Sequence, residues 1–150
     1  MPPFAPGRRQ TTERPSAAND RAGYHILARY LLRDDEAQYR VAAGLLKELQ
    51  TYTAPPSVIL ELVWVLESED CDRAAVSRAL RLLFSLPNFK PLELDAVLHA
   101  LAWYESGFDF GDALHLALSA RAKLDGFMTM DKALAKRAKR EGIAPPVKSC

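Results

Sequence analysis

From Gly23 onward, apolar residues recur with a regular period, and the period changes along the chain. The run from Tyr24 to Leu32 has the length of a strand entering a helical turn. Asp34 or Asp35 then caps a helix, whose apolar positions Val41, Ala42, Leu45, Leu46 and Leu49 keep the helical period. Thr51 to Thr53 predicts a short strand. Pro55 and Pro56 suit a helix start, where a missing N–H costs nothing, and that helix runs through Leu66. Asp72 caps the next helix, with Ala75, Val76, Ala79, Leu80, Leu83 and Phe84 inward. Phe89 to Leu94 reads as a strand. Asp95 opens a helix to about Glu105, which Gly107 ends. A further helix spans about Phe110 to Lys123, Gly126 to Met130 is a strand, and Asp131 caps a last helix ending near Gly142. Short strands alternating with helices predict an α/β fold, a small and mostly parallel sheet flanked by helices on both faces.

Residues 1–22 break this pattern. Four prolines, four arginines and small polar residues dominate there, and Phe4 is the one aromatic. Such a stretch buries too little apolar surface to offset its ordering entropy. We therefore expect a disordered or atypical N-terminal extension over 1–22 and a single domain over 23–150. The 150 residues and 49% hydrophobic content suit one domain with a real core. No apolar run reaches the roughly 18 residues of a membrane helix, and no apolar stretch follows the N-terminal arginines as in a secretory signal. Cys71 and Cys150 are too few and too far apart for a disulfide framework or zinc site. A cytoplasmic setting without membrane contact is the expectation. The net charge of +1 supplies no global field for nucleic acid. A local patch is available in Arg121, Lys123, Lys132, Lys136, Arg137, Lys139 and Arg140. Its alternative role is a solvated face balancing a helix C-terminus.

The acidic residues carry the candidate chemistry. Asp112 lies near the start of a helix about 18 Å long. The chain turns at Asp125-Gly126 and returns through a strand of roughly 16 Å. Asp131 therefore comes back near the level of Asp112, at the carboxyl end of a parallel sheet, where open α/β folds bind ligands. The competing role for each is helix capping. Glu61 interrupts the apolar run Val58–Leu66, either on the helix's wet stripe with Ser57, four residues away, or buried for a purpose. Burial without a cation would favour the protonated acid, and a bound dication would reverse that. Asp109 reads as a cap for the helix of Asp112, or as a supporting acid. His115, one turn after Asp112, is within reach of it, although a lone polar residue on a half-buried helix is the plainer reading.

The segments ILARYLLRDDEAQ (26–38), SVILELVWVLES (57–68) and DFGDALHLALSARAKLDGFMTMD (109–131) resemble the PIN-domain family, and VapC-type toxins in particular. Each motif is weak alone, while their order and spacing are specific, in register from about Ile26 to Gly142. The resemblance implies an α/β nuclease that cuts RNA with Mg²⁺ or Mn²⁺ held by three or four acids. It matches Glu61, Asp112 and Asp131 to the family's metal-binding, catalytic acids, and Thr129 to the threonine before the last of them. It also implies a cognate antitoxin that lies along a hydrophobic groove, with Tyr30, Leu31 or Trp64 as candidate groove residues. Core packing is the plainer role for Trp64. Family members commonly form homodimers.

One departure stands out. The family opens with a strand ending in Asp-Thr-Asn before an apolar pair. Here the pair is Ile26-Leu27, and the tripeptide is Gly23-Tyr24-His25. The first metal-binding aspartate thus falls on a glycine, and Asp20 stands three residues away. The abrupt change at Ile26 suggests an N-terminus altered by a frame change or a wrong start codon. The resemblance therefore implies a ribonuclease of low activity, or a module that binds antitoxin or RNA without cutting.

Overall fold

The computed structural model describes residues 20–21, 23–47 and 51–149. The expectation for 1–22 falls outside the described residues except at β1, Asp20–Arg21. Then follow α1 (Tyr24–Leu32), α2 (Glu36–Lys47), β2 (Tyr52–Thr53), α3 (Pro56–Ser68), α4 (Arg73–Phe84), α5 (Leu94–Glu105), α6 (Phe110–Arg121), β3 (Phe127–Thr129), α7 (Lys132–Arg140) and β4 (Val147–Ser149). The expected α/β class with small-scale parallel pairing holds, the described strands forming two separate two-stranded sheets. β1 pairs in parallel with β2, Asp20 opposite Tyr52. β3 pairs in parallel with β4, Phe127 opposite Val147.

Two predicted strands need correction. Tyr24–Leu32 is helical throughout. Its buried and partly buried positions Tyr24, Leu27, Ala28 and Leu31 fall at helical spacing, so one face packs inward. The stretch from Phe89 reduces to one parallel bridge from Phe89 to Tyr52. Lys90 and Leu92 still donate backbone hydrogen bonds to Tyr52 and Ala54, both at 2.9 Å. Pro91 between them has no N–H to add to a ladder, and Leu94 already belongs to α5. β4 lies beyond the last predicted element.

The core is mostly helical. Ile59, Leu62, Val63 and Leu66 of α3 meet Val76, Leu80 and Leu83 of α4, Val97 and Leu101 of α5, and Leu114 and Leu116 of α6, all buried. Phe89, Phe108 and Phe110 are its largest fully buried side chains. Each such residue contributes about 1.5–3 kcal/mol by leaving water. Predicted caps hold where the chemistry requires them. Asp35 accepts from the Gln38 N–H at 3.0 Å, and Asp72 from the Ala75 N–H at 2.7 Å. α5 stops at Glu105, and the turn after it holds Gly107, whose φ of 114° is a conformation only glycine adopts without strain. This turn delivers the chain to α6 and its acids.

Candidate active site

Asp109 is the N-cap of α6, and its Oδ2 accepts the backbone N–H of Asp112 at 3.0 Å. Capping is therefore its role. Asp112, three residues on, is relieved of it. Its carboxylate has no hydrogen bond or ion pair among the described residues, and it is half-buried. Burial pushes its pKa above the ordinary carboxylate range, and the charges of Asp109 and Asp131 push it further. His115 opposes that shift without outweighing it.

Asp131 caps α7, its Oδ1 accepting from the Leu134 N–H at 3.0 Å. Its own N–H donates to Thr129 Oγ1 at 3.0 Å, so this threonine sets the turn that presents the acid. The chain reaches Asp131 through β3, and the charge of Asp131 acts on Asp112.

Glu61 lies on the wet stripe of α3, exposed with Ser57, Trp64 and Ser68. It lines a cleft of about 330 Å³ with Tyr24, Trp64, Val65 and Ser68. Gly23 immediately precedes Tyr24 in the chain, and a Cβ at Gly23 would meet nothing within 4 Å. α3 also packs on α6: Leu60, next to Glu61, approaches to 3.6 Å from where a Cβ on Gly111, next to Asp112, would stand. Glu61 stands on α3, which packs on α6, and is outside the groups that shift Asp112. Among the described residues no group of three or more His, Cys, Asp or Glu converges closely enough to hold a metal ion. The donor chemistry nonetheless suits a hard dication: carboxylate oxygens repelling one another at a half-buried position are what such an ion relieves.

The chain matches the PIN domain over residues 25–140. It belongs to the PIN-domain family. PIN domains are generally nucleases and generally use divalent metals. A comparison with curated proteins finds no match. Among the described residues no helix of this PIN domain is long and apolar enough to cross a membrane.

Several residues take roles the sequence did not announce. Trp64, expected in the core, is 56% exposed. Tyr30 and Leu31 are partly buried against the core, and Tyr30 stacks on Tyr39 with centroids 5.9 Å apart. The basic patch is smaller than its sequence. Arg121 pairs with Glu93 at 3.3 Å and Asp95 at 3.5 Å, while Arg137 turns to the end of α5. Arg73 of α4 donates to the carbonyls of Tyr104 and Phe108 at 2.7 and 2.5 Å. A lone arginine after a capping aspartate gives no signal of this in sequence.

Glu67 is one more acid within electrostatic reach of Asp109. Burial raises its pKa first and the Asp109 charge next, while Arg73 opposes them.

Proposed function

We propose that this PIN domain is a Mg²⁺- or Mn²⁺-dependent endoribonuclease of the VapC toxin type, weakened by the glycine at position 23. One observation carries the reading. Asp112 is a half-buried carboxylate without a capping duty, and its burial, then the charges of Asp109 and Asp131, hold its pKa up. Such an acid is destabilised until a cation arrives. Asp112 is the chief candidate ligand, with Asp131 beside it and Glu61 across the α3–α6 contact. A bound dication would stabilise charge on the scissile phosphate and lower the pKa of an attacking water. Thr129 holds the Asp131 backbone, and Asp109 holds the helix end on which Asp112 stands.

The test is cleavage of single-stranded RNA by the full chain, with Mg²⁺ and with chelator, alongside Asp112→Asn. Mg²⁺-dependent cleavage abolished in the variant supports the reading. Cleavage that survives Asp112→Asn ends it.

A second reading is an inactive module that binds antitoxin or RNA. Gly23 favours it, since the first acid of the family pattern has no side chain here. Calorimetric titration with Mn²⁺ separates the two readings, because an inactive module has no need of the ion. An antitoxin is the partner in the first reading and one of two in the second. Its support is a groove of about 520 Å³ lined by His25, Ile26, Arg29, Ala37, Gln38, Val41, Ala42 and Leu45, between α1 and α2. A short reading frame overlapping the upstream end of the gene is the expected source of that antitoxin. A homodimer in the cytoplasm is part of the same proposal, and sedimentation of the purified chain tests its oligomeric state.

A further inference from the structure

α7 carries Asp131 at its start and Arg137 in its last turn. Arg137 reaches away from its helix to the turn that joins α5 to α6. It donates to the Ser106 carbonyl and, at 3.1 Å, to the Gly107 carbonyl. Its guanidinium lies over the Phe108 ring at 4.7 Å, and Glu141 steadies it from within α7's own end at 3.5 Å. Gly107 admits this approach, since a Cβ there would stand 2.6 Å from Arg137 Nη2. From the other side, Arg73 grips the same turn and lies over Tyr104 at 4.3 Å.

The carbonyls at the end of α5 have no partners within their helix, and the helix dipole makes them attractive to a cation. Arginine's planar fork can serve two of them at once while stacking on a ring, and lysine cannot. The next residues along the chain are Phe108, Asp109 and the first turn of α6 with Asp112. Arg137 therefore ties the helix that begins at Asp131 to the turn that delivers Asp112. α7 needs such a tie: it has nine residues, and only Leu134 and Ala138 are buried.

We infer that Arg137 is a positioning residue that fixes Asp131 relative to Asp112. The inference rests on the reading of those two acids as the metal-binding pair. A displacement of about 1 Å at such a site can cost on the order of 100-fold in function.

The experiment uses the full chain and two readouts, Mn²⁺ affinity by calorimetry and amide hydrogen exchange along α7. Arg137→Ala should weaken Mn²⁺ binding by about 10-fold or more, as loss of support around a ligand commonly does. Arg137→Lys should recover only part of this. In an Asp131→Asn background, Arg137→Ala should cost little more, because the residue it positions is already gone. Arg137→Ala should also speed exchange across α7 while α4 and α5 stay protected. Arg73→Ala loosens the same turn without touching α7, so it should lower the melting temperature with a smaller loss of affinity.

Full additivity of Arg137→Ala with Asp131→Asn would overturn the inference, and so would equal affinity losses in Arg73→Ala and Arg137→Ala. Unchanged exchange in α7 would overturn it whatever the metal does. If Asp131→Asn leaves Mn²⁺ affinity untouched, it is the reading of the acids that fails, and the exchange data still decide whether Arg137 holds the helix.

Discussion

Asp109 caps the helix in which Asp112 stands, its Oδ2 3.0 Å from the Asp112 backbone nitrogen. One acid serves the backbone and leaves the other available, yet its charge still raises the pKa of its neighbour. These two effects separate by substitution. Asp109→Ala loses the cap and should cost about 1 kcal/mol, or about 3 °C in melting temperature for a chain of this size. Asp109→Asn keeps a capping oxygen and should stay near wild-type stability. In both variants the Asp112 pKa should move back toward the ordinary carboxylate range, followed by NMR titration. A pKa that does not move would mean Asp109 has no electrostatic hold on Asp112.

Asp112 should stabilise the protein when neutralised. Its folded pKa lies above its unfolded one, chiefly through burial and then through Asp109 and Asp131. Between the two values the folded chain binds more protons than the unfolded chain, so stability falls as pH rises through that window. Asp112→Asn removes the penalty. It should match wild type below the ordinary aspartate range and exceed it at neutral pH. The gain should be under about 1 kcal/mol, because solvent screens a half-exposed charge. RNA cleavage should be lost in the same variant. Denaturant melts at acid and neutral pH provide the check, and a variant less stable than wild type at neutral pH would contradict the expected sign.

The sequence carried the helical part of the fold well, because helix starts have local chemistry. Asp72, Asp109 and Asp131 cap α4, α6 and α7 through their own side chains, and a cap is visible within three residues. The strands were harder. An apolar run of nine residues at Tyr24–Leu32 suits either period until its inward face is known, and burial of Leu27 and Ala28 decides it. Element lengths also led to the expectation that Asp131 returns toward Asp112, whose pKa the Asp131 charge raises. The exposure of Trp64 was not legible, because an apolar run has no marker for the side that faces solvent. Arg137 was hidden for a related reason. Within a basic run all cations look alike, and only the turn 30 residues earlier distinguishes this one.

Position 23 offers a gain-of-function test. Gly23 is the N-cap of α1, extended at φ −77° and ψ 160°, with no side-chain cap hydrogen bond. A Cβ placed there meets nothing within 4 Å. Aspartate therefore fits without strain, and as an N-cap it should add a few tenths of a kcal/mol over glycine. It would also restore the first acid of the family pattern at this position. We expect Gly23→Asp to tighten Mn²⁺ binding and raise Mg²⁺-dependent cleavage by about 10-fold or more, the scale of losing or regaining support at a metal centre. Equal activity in the two proteins would remove position 23 from the site.

The exposed face of α7 should carry RNA contacts that Arg137 does not share. Lys132, Lys136, Lys139 and Arg140 are exposed on that helix and form no ion pair among the described residues, whereas Arg121 is held by Glu93 and Asp95. The helix begins at Asp131, so a strand whose phosphate reached the acids could lay its backbone along these cations. Each phosphate neutralised by such a cation adds about 0.7 to the slope of log affinity against log salt for a single strand. Lys136→Ala combined with Arg140→Ala should therefore flatten that slope by up to about 1.4 if both contact phosphate. Binding should weaken to a similar degree for unrelated sequences, since a phosphate contact reads no base. Binding measured with Mg²⁺ chelated, over a range of salt, separates this from metal effects. A slope unchanged by the double substitution would return the patch to its other role, a solvated face that balances the end of a helix.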